Sequence, residues 1–146
     1  VAGAAGGEAA RAVSGGGKDY AGLKLTTSFK GGDYSGKDFS GCSAQSVDFT
    51  KSAFRGNRFF KANLEGADFS GSDLSGASLE GADLSDVVFD GAVLDGAYFT
   101  ENIATVKSMK GATFNDALVP TKVLGQLCRR ADVQASEATK ESLMCP

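Results

Sequence analysis

The residue types that most often carry catalysis or bind metals are scarce in this chain, apart from carboxylates. Its 146 residues include no histidine, three cysteines, and 18 aspartates and glutamates. Without histidine, His-based acid–base catalysis, catalytic triads and His-ligated metals are excluded. Paired carboxylates can act as general acid and base or hold a hard cation. Here they are spread along the chain, so we expect no catalytic residue, no cofactor and no metal ligand.

Charge is distributed unevenly along the sequence, although the net charge is only −3. Residues 62–106 contain nine acidic residues and no basic one, whereas residues 51–61 contain Lys51, Arg55, Arg58 and Lys61 and no acidic one. The two bands fit a solvated surface that keeps the protein soluble, and they equally fit docking to a charged partner. The overall balance gives no general reason to bind nucleic acid.

The dominant pattern is a five-residue repeat. It is clearest in the successive units ANLEG, ADFSG, SDLSG and ASLEG, which span residues 62–81, and glycine closes most units. The same frame continues in both directions with an apolar residue at every centre. These centres are Phe29, Tyr34, Phe39, Ala44, Phe49, Phe54, Phe59, Leu64, Phe69, Leu74, Leu79, Leu84, Phe89, Leu94, Phe99, Ala104, Met109, Phe114 and Val119.

A period of five matches neither regular secondary structure. On a strand, an odd step sends successive large residues to opposite faces, and on a helix it makes them drift around the axis. Such a period can bury one row of residues only if the chain turns a corner in each unit. The sequence therefore predicts a β-solenoid, in which a coil winds around its own core.

The motif A-(D/N)-(L/F)-X-X resembles that of the pentapeptide-repeat family. The resemblance implies an all-β fold, a right-handed quadrilateral β-helix of twenty residues per coil, with nearly five coils over residues 27–119 and a short α-helical C-terminal cap. The centre and the small residue two positions before it would point inward. Departures from this pattern predict local distortion. They are Lys37, Asn57, Asn102 and Lys107 at small inward positions, and the undersized centres Ala44 and Ala104.

Both ends of the chain leave the repeat. Residues 1–26 are rich in glycine and alanine and predict a flexible extension, although a partner could order it. Residues 120–146 predict a cap in which Val123, Leu124 and Leu127 form a short helix over the open core. A second helix would begin at Ser136 and end near Leu143.

The three cysteines divide into two groups. Cys42 falls on a small inward position, which predicts a buried and inert thiol. Cys128 and Cys145 flank the cap, where they could form a disulfide or remain two free thiols. The tail around them is similar to that of the pentapeptide proteins of the chloroplast thylakoid lumen in plants and algae. That resemblance implies a paired-cysteine cap, an oxidising compartment and, with no transit peptide present, the mature form.

Candidate partner-binding residues follow from outward positions that are unexpectedly apolar. The residue before the centre is usually polar, but in one coil it reads Val88, Val93, Tyr98 and Ile103, which predicts an apolar girdle on all four sides. Phe60 is a further outward aromatic, set among Arg55, Arg58 and Lys61. Such clusters often mark interfaces, unless the tail and the cap fold back over them.

These expectations favour a non-enzymatic binding or scaffold protein of the thylakoid lumen. It would dock on the lumenal side of a photosynthetic membrane complex such as a photosystem, with no nucleic acid bound and no membrane insertion. The alternative is an acidic DNA mimic that acts on a topoisomerase, and a third hypothesis is a carboxylate-ladder enzyme or metal sensor. Stacked carboxylates would repel one another and favour protonation, which predicts a pH-dependent partner affinity.

Overall fold

The fold is a coil whose successive turns are joined by parallel backbone bridges. In the computed structural model, which describes residues 19–146, bridges connect residues 20 apart, as in Asp33↔Ala53 and Tyr98↔Leu118. Most centres up to Phe99 also donate their N–H to the next coil, as Phe49 does to the carbonyl of Asp68 at 2.8 Å. Bridges recur at every fifth residue, so a coil of 20 residues has four sides. The five-residue frame therefore produces a β-helix.

The corners between sides explain why the described chain forms single bridges rather than extended strands. A turn follows most bridge residues, and its third position takes positive φ, as at Gly71 (φ 69°) in the turn that the Ser72 N–H closes on the Phe69 carbonyl. Glycine adopts that conformation without strain. Lys51 and Lys61 adopt it as well, with φ of 53° and 55°. The aspartate of the motif closes the same turn, because Asp68 Oδ1 accepts the Ser70 N–H at 2.9 Å.

The interior is filled by the central side chains. Phe29, Phe49, Phe69 and Phe89 stack along one side, and the Phe49 and Phe69 rings lie 4.7 Å apart and nearly parallel. All four are buried. In the later coils, leucine occupies many of the central positions. Because aromatic pairs in such a column add to area burial, the first half of the rod has the heavier core.

The β-helix begins earlier than residue 27. Tyr20 is 1% exposed and its ring stacks on Phe39 at 4.5 Å, while its N–H donates to the Asp38 carbonyl. Leu25 is also buried in the core. Residues 19–26 are therefore packed rather than part of a flexible extension, because their apolar side chains cover the first full coil. The rest of the predicted extension, residues 1–18, lies outside the described residues.

The frame slips by one residue between 102 and 107, and this overturns the prediction for Ile103. A 3₁₀ helix, Glu101–Thr105, interrupts the repeat. Ile103 and Val106 are buried in the inward positions that the frame assigns to Ala104 and Lys107. Ile103 is thus a core residue and not part of an outward girdle. Its burial follows from size, because it fills a space that alanine would leave empty.

Asn102 stabilises this slip. Its Nδ2 donates to the carbonyls of Leu79 and Ala82, at 2.8 and 2.9 Å, and its Oδ1 accepts the Thr100 N–H at 3.0 Å. These side-chain bonds replace the ladder hydrogen bonds that the irregular segment does not make. The distortion predicted at Asn102 is therefore present and is held by its own amide.

Three short α-helices follow the last coil within the described residues: α1 (Thr121–Cys128), α2 (Ala131–Gln134) and α3 (Glu137–Ser142). Val123 and Leu127 of α1 are buried over the core, and Ser136 caps α3 by accepting the Thr139 N–H. No helix of residues 19–146 has the length and apolar character needed to cross a bilayer.

A single carboxylate joins the cap to the last coil. Asp132 Oδ2 accepts the Met109 N–H at 2.8 Å, and both of its oxygens pair with Arg130. The Arg130 guanidinium also donates to the Val106 and Lys107 carbonyls. The pair is largely buried, with side-chain exposures of 21% and 18%. Asp132 and Arg130 therefore supply the partners that a further coil would offer to this open edge.

Replacing Asp132 with asparagine should lower the free energy of unfolding by about 2 kcal/mol, because a charge-assisted hydrogen bond is lost and Arg130 loses its counter-charge. Urea unfolding followed by circular dichroism measures the change. Glu137→Gln is the control, since Glu137 pairs with Lys140 on the surface and such pairs contribute below about 1 kcal/mol. Equal unfolding midpoints for the two variants would contradict the role assigned to Asp132.

Candidate protein-binding surface

Three of the five large apolar side chains that are exposed among residues 19–146 lie on one side of the β-helix. This side carries residues 38, 58, 78, 98 and 118 in successive coils, and we call it the Tyr98 side. Tyr98 and Leu118 are bridge neighbours and are 45% and 51% exposed. Phe60, 40% exposed, follows Arg58 on the same side. The exposed apolar groups therefore run along the rod rather than around one coil.

Cations lie beside Phe60. The Lys61 ammonium is 5.2 Å from the centroid of the Phe60 ring, within reach of a cation–π interaction. Arg58 is exposed one position before the Phe59 centre. Within residues 19–146, neither Arg58 nor Lys61 forms an ion pair with a carboxylate. The positive charge at this end of the Tyr98 side is therefore available to a partner.

The remaining candidates lie elsewhere. Arg55 belongs to the preceding side and pairs with Asp73 at 3.1 Å and Asp33 at 3.6 Å. Val88 and Val93 are half-buried on the two sides that precede Tyr98 in their coil. The structure thus brings together Arg58, Phe60, Lys61 and Tyr98, and places Arg55, Val88 and Val93 apart from them.

Leu118 is the surface residue that sequence reasoning missed. It stands immediately before a centre, as Tyr98 and Arg58 do, and follows Tyr98 by one coil. A comparison of each outward residue with the residue twenty positions later would have identified Leu118 as the neighbour of Tyr98.

The acidic residues do not form ladders. Among the described bridges, only Asp48↔Asp68 joins two carboxylates. Partial burial would raise the pKa of Asp48, but hydrogen bonds from the Thr50 hydroxyl and amide outweigh it and lower that pKa. The same balance, with Ser75 and Arg55 as donors, lowers the pKa of Asp73. The expectation that repulsion favours protonation is therefore wrong for these carboxylates, because each is held by donors of its own turn.

These lowered pKa values predict how stability depends on pH. A carboxyl whose pKa is lower in the folded state stabilises the fold above its unfolded pKa, about 3.9, and this contribution is lost as pH falls through the folded value. With no histidine in the chain, we expect equal melting temperatures at about pH 7.5 and 5.5 and a marked decrease below about pH 4. Thermal melts at these pH values test this, and a decrease between the first two would contradict it.

The cysteines occupy two different environments. Cys128 and Cys145 form a disulfide with a Cα–Cα distance of 5.6 Å, which fastens the end of the chain to the last turn of α1. Cys42 is free and buried, and burial raises the pKa of its thiol to about 12. Since the thiolate is the reactive form, Cys42 is inert.

Concave surfaces lie at the two ends of the rod, outside its filled interior. Near the first coil, a groove of about 470 Å³ runs between residues 24–28 and 43–48. The bridge Lys24↔Ser43 joins residues 19 rather than 20 apart, so the first coil is one residue short at this groove. A cleft of about 430 Å³ beside α1 is lined by Leu124 and Met144. Residues 19–146 contain no cluster of three acidic or cysteine ligands that could hold a metal ion.

Comparison with known proteins finds the same repeat and a similar structure. The model described as "Pentapeptide repeats" matches residues 62–100 in eight copies. The structure of a pentapeptide repeat protein from the thylakoid lumen of Arabidopsis thaliana is 27% identical, with a TM-score of 0.78 over 92% of this chain and 97% of that one. No curated protein matches the sequence.

Two further solved structures share less with the chain. HetL, a pentapeptide repeat protein involved in heterocyst differentiation regulation from the cyanobacterium Nostoc, is 25% identical, with a TM-score of 0.46 over 64% of this chain and 39% of that one. A plasmid-mediated fluoroquinolone resistance protein, QnrB1, is 18% identical, with a TM-score of 0.42 over 73% of this chain and 60% of that one. The chain therefore carries pentapeptide repeats wound into coils of twenty residues, and over nearly its whole length its structure is similar to that of the thylakoid-lumen pentapeptide repeat protein of Arabidopsis.

Proposed function

We propose that this chain is a non-enzymatic binding protein of the thylakoid lumen that docks on the lumenal side of a photosynthetic membrane complex such as a photosystem. The observation that carries the proposal is the gathering of Phe60, Tyr98 and Leu118 on one side of a rod with a filled interior. A filled rod offers its outer surface for recognition, and exposed apolar groups beside polar ones are typical of interfaces.

Two observations support the lumen as its compartment. The similar Arabidopsis protein is described as a thylakoid-lumen protein. The Cys128–Cys145 disulfide is of a kind that persists in oxidising compartments and is rare in reducing ones.

The direct test is sedimentation with thylakoid vesicles of known orientation. Purified, oxidised protein is mixed with inside-out vesicles, which expose the lumenal side, and with right-side-out vesicles from the same preparation. We expect the protein to co-sediment with inside-out vesicles and to remain in the supernatant with right-side-out vesicles. No binding to inside-out vesicles would refute the proposed function.

The DNA-mimic alternative requires a continuous acidic surface. The acidic residues between positions 62 and 106 instead lie on several sides of the rod. Asp68, Asp73 and Asp83 among them accept hydrogen bonds within their own turns. We therefore expect no effect of the purified protein in a gyrase supercoiling assay, and protection of gyrase would favour the alternative.

A further inference from the structure

We infer that the Tyr98 side binds an acidic protein surface that has an apolar centre, an inference that rests on the proposed function. The contact surface on this chain comprises Arg58, Phe60 and Lys61 at one end and Tyr98 and Leu118 at the other. This surface is smaller than the set of outward residues that the sequence suggested. Its positive charges lie at one end of the rod and its uncharged apolar residues at the other.

Charge is the first observation that identifies the partner. Two carboxylates also lie on this side: Asp38 accepts the Ser40 N–H at 2.9 Å and Glu80 accepts the Ser78 hydroxyl at 3.2 Å. Arg58 and Lys61 have no carboxylate partner within residues 19–146. A partner that places carboxylates opposite these two cations gains complementary charge.

The backbone at Lys61 adds a second observation. The equivalent positions one coil before and one coil after are Gly41 and Gly81, with φ of 66° and 69°, whereas Lys61 takes φ of 55° with a full side chain. A residue other than glycine in this conformation costs on the order of 1 kcal/mol. Ser46, Lys51, Asp86 and Asp116 share this conformation at the same position of their units. What distinguishes Lys61 is therefore its ammonium over Phe60.

Spacing is the third observation. Ser78 lies one rung from both Arg58 and Tyr98, and the rungs of a β-structure are about 4.8 Å apart. Arg58 and Tyr98 are therefore about 10 Å apart along the rod, with a small residue between them. An apolar side chain of the partner can pack there against Tyr98, while its carboxylates meet Arg58 and Lys61.

A second copy of this chain fits the surface less well. In a two-fold antiparallel pair that sets Arg58 opposite Tyr98, residues 78 and 80 lie at the axis, so the two Glu80 carboxylates face each other. Like charges placed together across an interface disfavour it. A different protein can instead place its carboxylates opposite Arg58 and Lys61 and a neutral group opposite Glu80, so the partner that we infer is a different protein.

The test uses matched charge reversals in the oxidised protein with inside-out thylakoid vesicles as the binding target. The test variant is R58E/K61E, and the control is K30E/K51E, whose residues belong to the opposite side. Both variants change the net charge by the same amount, and Lys51 shares the backbone conformation of Lys61. Circular dichroism melts establish that both variants fold.

We expect R58E/K61E to bind at least about tenfold more weakly than the native chain and K30E/K51E to bind normally. Added salt should weaken native binding, because these cations are exposed to solvent. Protease treatment of the vesicles should abolish binding, and vesicles of pure thylakoid lipids should bind neither variant nor the native chain.

Each other outcome overturns the inference. If R58E/K61E binds as the native chain does, the proposed function stands and this surface is wrong. If pure lipid vesicles bind the native chain, the cations recognise anionic headgroups rather than a protein. If the native chain sediments as a dimer whose formation R58E/K61E abolishes, the occupant is a second copy. If the native chain binds no inside-out vesicles, the proposed function itself fails.

Discussion

Truncating Phe49 to alanine should lower the free energy of unfolding by about 4 kcal/mol, the largest effect that we expect from a single substitution. Phe49 is fully buried, and its ring lies 5.3 Å from Phe29 and 4.7 Å from Phe69 in adjacent coils. Removing the Phe49 ring takes away its contacts with the Phe29 and Phe69 rings. It also leaves a cavity that cannot collapse, because the backbone hydrogen bonds hold the adjacent coils at a fixed spacing. Urea unfolding should therefore show a lower midpoint for Phe49→Ala than for the native chain, while the folded variant keeps the native fluorescence signal.

Phe49→Leu is the matched control. Leucine fills the same central position in later coils, at Leu74 and Leu79, so the volume lost is smaller and the cost should be about 1 kcal/mol. A loss below about 1 kcal/mol for Phe49→Ala would contradict a core packed to native density.

Removal of the disulfide should cost about 3 kcal/mol in the chain-entropy model, because the crosslink closes a loop in the unfolded chain and so restricts its conformations. Cys128 and Cys145 are 17 residues apart, and the crosslinked segment contains α2 and α3, which bury few side chains of their own. The double variant Cys128→Ser/Cys145→Ser should therefore unfold at a lower urea concentration than the oxidised native chain.

Reduced native protein serves as the second arm of this experiment and should unfold together with the double variant. Cys42→Ala controls for the remaining thiol, because it keeps the disulfide and should still respond to reductant. Identical midpoints for oxidised and reduced native protein would contradict the stabilising role of the disulfide.

The repeat made the fold predictable because each unit carries its own structural information. An apolar centre, a small inward residue, an aspartate that closes the turn and a terminal glycine all favour the same corner, so local and global preferences agree. The first cap helix was predictable because Val123 and Leu127 share a helical face, and the last because Ser136 can cap it, whereas α2 (Ala131–Gln134) was not predicted. The right-handed sense and the number of coils are expectations from the family resemblance rather than from the residues.

Sequence reasoning failed where tertiary packing overrides the repeat. Ile103 was assigned outward by its frame, but the 3₁₀ helix and the Asn102 amide turn it into the core in place of Ala104. Tyr20 was assigned to an extension, because no second repeat unit precedes it to establish the frame. The prediction of the binding surface failed for a related reason. It grouped apolar residues five apart in one coil, whereas the residues that are neighbours on the surface are twenty apart.

The most direct test of the central claim, that one side of the rod binds a protein, is photo-crosslinking from position 98. A benzoylphenylalanine replaces Tyr98 in one variant and Val88, half a coil earlier on the opposite side, in the other. With inside-out thylakoid vesicles, we predict a discrete crosslinked protein from position 98 and none from position 88. The same products from both positions, or none from position 98 while the protein is bound, would contradict the claim.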